Sequence, residues 1–119
     1  MTMQPRITFD QGDAALVTTL NRKLLDDDLL QDLVPAITDA VDRVPKHVVL
    51  DLSAVQYLPS LAIGTLIRLN AELKKRHVRL ILAGLHDNLR EVLKITRMDH
   101  VFEIAGTSAD AAAMLGQAP

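Results

Sequence analysis

The sequence contains no cysteine. That excludes disulfides, thiol nucleophiles, zinc–thiolate sites and thiol redox sensing together, and it fits a reducing cytoplasm. An excess of one charge is also lacking: the net charge is −2 and the sequence pI is near 6.0. No broad basic surface can be built from that balance, so neither nucleic acid nor an anionic membrane is an expected partner. Long hydrophobic runs are missing. The longest apolar stretches, such as Leu80-Ile-Leu-Ala-Gly-Leu85, fall far short of the ~20 residues that cross a bilayer. The start, Met1-Thr-Met-Gln-Pro-Arg6, lacks the apolar stretch of a signal peptide. These absences predict a soluble, cytoplasmic chain without membrane insertion.

Chemical motifs are equally scarce. There is no P-loop or G-x-G-x-x-G, and no G-x-S-x-G elbow. The histidines His47, His77, His86 and His100 lie too far apart in sequence for a ligand pair such as H-x-x-x-H. No catalytic residue, metal site or cofactor is assigned, and the chain is not expected to be an enzyme.

What is present is an ordinary globular balance: 119 residues, 49% apolar and 24% charged. A chain of this size makes one domain, expected to span residues 1–119, and buries roughly two-thirds of its unfolded surface.

Arg6–Asp10 and Ala14–Leu20 read as two strands of a hairpin joined by Gln11-Gly12-Asp13. Leu29, Leu30, Leu33, Val34, Ile37, Ala40, Val41 and Val44 then recur at helical spacing. Asp26-Asp27-Asp28 supply its cap and a negative first turn. Pro35 conflicts with that helix and predicts an irregular first turn before it, and Pro45 ends it. His47–Leu52 is an apolar run without alternation, as a central strand requires. Ser53–Pro59 is a loop. Ser60–Arg76 is a helix with Ile63, Leu66, Ile67, Asn70, Leu73 and His77 along one side and Lys74-Lys75-Arg76 in its last turn. Val78–Ala83 is a strand closed by Gly84, and Asp87 caps a helix carrying Leu89, Val92, Leu93 and Thr96. Val101–Ile104 is a short strand. Thr107-Ser-Ala-Asp110 has capping-box spacing before an Ala-rich helix to about Leu115. The order β-β-α-β-α-β-α-β-α predicts an α/β domain with a mixed, mostly parallel sheet, an N-terminal hairpin and about four flanking helices.

The most specific stretch is Val48-Val-Leu-Asp-Leu-Ser-Ala-Val-Gln-Tyr-Leu-Pro-Ser-Leu-Ala-Ile-Gly-Thr-Leu66. A buried strand runs into Asp-Leu-Ser, then an aromatic, then a Ser that opens a helix. This resembles the STAS domain family of anti-sigma-factor antagonists, whose pattern is a strand ending in D-L-S, an aromatic, and D-S-x-G-L-G. Asp51, Leu52, Ser53 and Tyr57 match. Pro59 stands at the family's Asp, Ser60 at its phosphorylatable Ser, Leu61 at the variable position, Ala62 at the first Gly, Ile63 at Leu, and Gly64 at the last Gly. Arg22-Lys23-Leu24-Leu25 falls where the family often has G-E-L-D, and only Leu24 matches. Element order and lengths carry the resemblance over nearly the whole chain. Asp27 and Asp51 could also be read as the acidic constellation of a response-regulator receiver. The separation of 24 positions is too short for the helix and strand a receiver needs there.

From its position alone Ser60 is predicted to be an N-cap, worth ~1 kcal/mol. The same place suits a phosphate, because free N–H groups and the helix dipole accept added charge. Two readings stay open: a regulatory phosphosite, or a cap and nothing more. Val55, Tyr57, Leu58, Pro59, Leu61 and Ile63 surround the Ser, and if exposed they form an apolar patch of the kind that marks a protein-binding site. A phosphate there is expected to oppose docking through desolvation and through repulsion of an acidic partner edge. The resemblance implies a partner with a serine-kinase fold, the anti-sigma factor, whose capture frees sigma. Gln56, Tyr57, Leu58, Pro59, Ser60, Leu61 and Ile63, with Arg68, Glu72 and Lys75 farther along the helix, are the expected contact residues. A monomer or weak homodimer fits a soluble antagonist. The alternative is a scaffold subunit of a signalling assembly, or a subunit of a transport system, without a live switch.

Overall fold

The structure is a computed structural model that describes residues 5–12 and 15–116. Five strands form one sheet in the order β1-β2-β3-β4-β5. They are β1 Ile7–Gln11, β2 Ala15–Leu20, β3 His47–Asp51, β4 Leu80–Ala83 and β5 Glu103–Ala105. β1 runs antiparallel to β2, and the remaining neighbours are parallel. The helices are α1 Asp27–Arg43, α2 Ser60–Lys75, α3 Asp87–Ile95 and α4 Ser108–Gly116. The expected mixed sheet, hairpin and element order are all present. Asp13 and Ala14, read as hairpin turn and strand start, lie outside the described residues, as do Met1–Gln4.

The right-handed rule for parallel crossovers sends α1, α2 and α3 to one face of the sheet. There Leu29, Leu33 and Ile37 of α1, Leu66, Leu69 and Leu73 of α2, and Leu89 and Leu93 of α3 pack on Leu16, Leu20, Val48, Leu50, Leu80 and Leu82. Each such side chain, fully buried, contributes roughly 1.5–3 kcal/mol. Among the described residues the opposite face carries α4, where Ala111 packs against Ala15, Val49, Ile81, Ala83 and Ala105. Small residues there let the last helix lie close.

Several expectations change. α1 is continuous through Pro35, with no irregular first turn. Pro35 is exposed, and the buried stripe on both sides of it outweighs the ~3 kcal/mol a proline costs inside a helix. The buried side of α2 is Ala62, Thr65, Leu66, Leu69, Asn70 and Leu73, not the side of Ile63, Ile67 and His77. α2 is apolar at so many consecutive positions that two faces fit the period, and sheet packing selects one. Ile67 is exposed, and His77 lies past the helix end with φ of 58°. Asp87 is the first residue of α3, and His86 holds the cap position. The last strand begins two residues later than expected, because Met98–His100 forms a 3-10 turn. Thr107 does cap α4: the Asp110 N–H donates to its Oγ1 at 3.0 Å.

Candidate functional site

α1 and α2 pack side by side, and their N-terminal tips share one end of the sheet. The tip of α1 is closed: Asp26 is the N-cap and accepts from the Leu29 N–H at 2.9 Å, with Asp27 and Asp28 in the first turn. The tip of α2 is open. Pro59 occupies its cap position in an extended conformation, with no side-chain bond to the helix and no acidic residue in the first turn. Ser60 is therefore not the N-cap that its position in the sequence predicts. It is the first residue inside the helix, where its hydroxyl cannot reach back over the following N–H groups. The Ala62 N–H bonds the Pro59 carbonyl at 2.9 Å. The start of a helix leaves its first N–H groups without intrahelical partners, and the Ser60 residue beside them is exposed.

The loop that delivers Ser60 is held on three sides. Its first turn is made by Asp51, whose Oδ1 accepts from the Ser53 N–H at 2.9 Å and whose Oδ2 accepts from the Ser108 hydroxyl at 3.2 Å. The Asp-Leu-Ser motif is thus a turn that also ties down the start of α4. Gly84, at φ 72°, lies so close that a Cβ there would meet the Ser53 Cβ at 3.0 Å and Asp51 Oδ1 at 3.1 Å. Only glycine satisfies both that φ and that space. From the α3 side, His86 Nε2 bonds the Ser53 carbonyl at 2.7 Å, and Asn88 Nδ2 donates to the Gln56 carbonyl at 3.0 Å. From the β2–α1 side, the Gln56 and Tyr57 N–H groups both donate to the Lys23 carbonyl, at 2.7 and 2.9 Å. Leu24 and Tyr57 form an isolated parallel bridge.

The residues around Ser60 divide sharply. Tyr57 is 61% exposed, Leu61 56% and Leu24 49%. Leu58, Pro59 and Ile63 are half-buried, and Gln56 is exposed. Val55 is fully buried and so is removed from the expected patch. Two shallow grooves flank the tip. One, of about 430 Å³, lies between Pro59 and the run Leu24–Asp28. The other, of about 320 Å³, is lined by Asp27, Leu30, Gln31, Leu61, Thr65 and Arg68. Arg68 thus shares a groove with Leu61. Glu72 and Lys75 do not reach this region: Lys75 lies fifteen residues beyond Ser60, about 22 Å along the helix axis. Glu72 is engaged with Lys75 at 3.2 Å and with Arg76 at 3.3 Å. Arg76 in turn bonds Asp42 of α1 at 2.8 Å. Lys75 first and Arg76 second hold the Glu72 carboxyl below its ordinary value. Hydrogen bonding from Arg76 does the same for Asp42. That network pins the far end of the α1–α2 seam.

Leu24, Ile67 and the aspartates Asp26–Asp28, all exposed, complete the surface around Ser60. None was assigned to it from sequence. Leu24 could have been, since it is the residue that matches at the G-E-L-D position. Among the described residues no group of three His, Cys, Asp or Glu is placed to hold a metal ion. No helix there is long and apolar enough to cross a membrane.

Comparison with known proteins follows the same lines. The sequence model of the STAS domain matches residues 13–111. A Bordetella bronchiseptica protein, BtrV, whose name marks it as a candidate anti-sigma factor antagonist, is 26% identical over 108 residues, covering 91% of this chain and 92% of its own. The crystal structure of a candidate anti-sigma factor antagonist from Thermotoga maritima superposes with a TM-score of 0.83 at 16% identity, covering 93% of this chain and 95% of its own. An anti-sigma-factor antagonist (STAS) domain protein from Planctomyces limnophilus gives a TM-score of 0.81 at 20% identity, covering 93% and 98%. At these identities the structural likeness speaks for the fold.

Proposed function

The chain belongs to the STAS domain family, and on that footing we propose that it is a non-catalytic anti-sigma-factor antagonist that docks on an anti-sigma factor with a serine-kinase fold. The observation that carries this reading is the open tip of α2. Ser60 is exposed at the first helical position, capped by nothing, beside Tyr57 and Leu61, which keep more than half their surface in solvent. An uncapped helix start among exposed apolar side chains has little to offer the stability of the isolated chain. It has much to offer a partner: free N–H donors, apolar area and a hydroxyl.

Asp26, Asp27 and Asp28 rim the neighbouring groove, so a phosphate on Ser60 would add its charge to a surface that is already acidic. Ser60 is the switch. A phosphate there gains from the α2 dipole, yet it brings about −1.5 to −2 charge into a surface that must be desolvated for docking. The modification therefore favours the free chain.

The test is binding of the purified chain to the anti-sigma factor recovered from native cytoplasm. Leu61→Asp is expected to abolish capture, Ser60→Asp to weaken it, and Ser60→Ala to leave it near wild type. Equal binding by all three variants removes the α2 tip from the interface.

A further inference from the structure

We propose that the chain also forms a two-fold symmetric homodimer by antiparallel pairing of β1 with β1 of a second copy, in one register centred on Thr8. The sheet order leaves β1 at an edge. Among the described residues nothing pairs with its outer side. The direction of its free backbone groups follows from the ladder to β2. The Asn21 N–H donates to the Arg6 carbonyl at 2.8 Å, and the Gly12 N–H to the Ala15 carbonyl at 2.9 Å. Between these bonds the register is Ile7↔Leu20 through Gln11↔Leu16. Hydrogen-bonded pairs alternate in an antiparallel ladder. Arg6, Thr8, Asp10 and Gly12 therefore bond inward, while Ile7, Phe9 and Gln11 turn their N–H and C=O groups out.

A second copy must then pair odd residues with odd. Centring on Thr8 sets Ile7 opposite Phe9, Thr8 opposite Thr8, and Arg6 opposite Asp10, the first and last pairs occurring twice by symmetry. An aromatic against a β-branched residue, Thr against Thr, and opposite charges are the three favourable kinds of cross-strand pair. Shifting the centre to Ile7 or to Phe9 loses the charge pairs: Asp10 or Arg6 then faces no residue of opposite sign. Arg6 already holds Asp32 of α1 at 2.5 Å, but a guanidinium has five donors and keeps some for a second carboxylate.

The edge also lacks several of the usual defences. β1 contains no proline, no lysine and no break in register. Phe9 is 42% exposed and borders a groove of about 310 Å³ lined by Gln11, Leu16, Ala40, Arg43 and Val44. Five residues a side bury less than a standard interface, so the dimer is weak, with a dissociation constant of roughly 10–500 μM.

Sedimentation equilibrium between ~10 μM and ~1 mM, a range set by that expected affinity, tests this without any partner protein. The wild-type chain is expected to pass from monomer to dimer. Phe9→Pro removes an outward N–H and leaves the inward ladder intact, so it should remain monomeric with an unchanged circular dichroism spectrum. Asp10→Lys and Arg6→Glu should each weaken self-association about tenfold or more, through two reversed pairs per dimer. An equimolar mixture of those two variants should associate as the wild type does, because each chain then meets its opposite. A wild-type monomer at the top of the range overturns the proposal, as does a mixture no stronger than its components. Should Phe9→Pro fail to fold, the exposed charge pair decides alone.

Discussion

Two helix tips lie side by side in this molecule, and they are built to opposite rules. α1 starts with a capping aspartate and two more acids in its first turn. α2 starts with a proline that caps nothing and a serine that points to solvent. The α1 tip satisfies its own donors and opposes its own dipole, so it serves stability. The α2 tip has no side-chain cap for its donors, and its neighbours Tyr57, Leu61 and Leu24 are left exposed. The contrast is why the proposed docking surface is placed at the α2 tip, where the rules for a stable helix start are not followed.

The comparison can be broken most severely at Gly84. Gly84→Ala is expected to cost about 2–4 kcal/mol, from a φ that L side chains avoid and from collision with Ser53 and Asp51. Urea unfolding reads that loss, and the damage should centre on the loop feeding α2. Next in size is binding. Ser60→Asp should weaken capture of the anti-sigma factor by about tenfold to a hundredfold, ~1.4–2.8 kcal/mol, measured by calorimetric titration. The two tips themselves should then respond unequally to the same truncation. Asp26→Ala should cost about 1 kcal/mol of stability, and Ser60→Ala less than ~0.5 kcal/mol, because it removes no cap. Equal losses would erase the distinction between them.

The smallest effect concerns the far end of the seam. Asp42 and Glu72 sit below their ordinary values because Arg76 and Lys75 bond their ionised forms. Depressed carboxylates contribute stability that is present above their unfolded values, about 4, and is lost as pH falls through the folded ones. The urea midpoint should therefore drop modestly below pH ~4, and less so in Arg76→Ala. These groups are solvent-exposed, which keeps the contribution small.

Much of this was legible in the chain. The strand runs, to within a residue or two at their ends, and the capping Asp26 depend on neighbours in sequence, and they read correctly. Ser60 did not. A serine opening a helix after a loop looks like a cap, but the cap is defined by one backbone position, and Pro59 holds it. The inner face of α2 was misread for a related reason. Apolar residues at Leu61, Ala62, Ile63, Leu66, Ile67 and Leu69 satisfy helical spacing in more than one rotation. Val55 looked like part of a surface patch because loops usually lie outside, yet it is fully buried.

By itself the sequence determined the order of elements, which rests on hydrophobic period, turn residues and local capping acting over a few residues, and it pointed to the family through the resemblance carried by Asp51–Ser53, Tyr57 and Pro59–Gly64. Only the tertiary structure decided which residues share the surface at Ser60. Leu24 meets Tyr57 across 33 positions because both chain segments hang from one carbonyl, that of Lys23. Likewise β1 acquires an open edge only once the sheet has taken its order. Long-range contacts of that kind leave no periodic trace in the chain, since packing of the whole sheet brings them together.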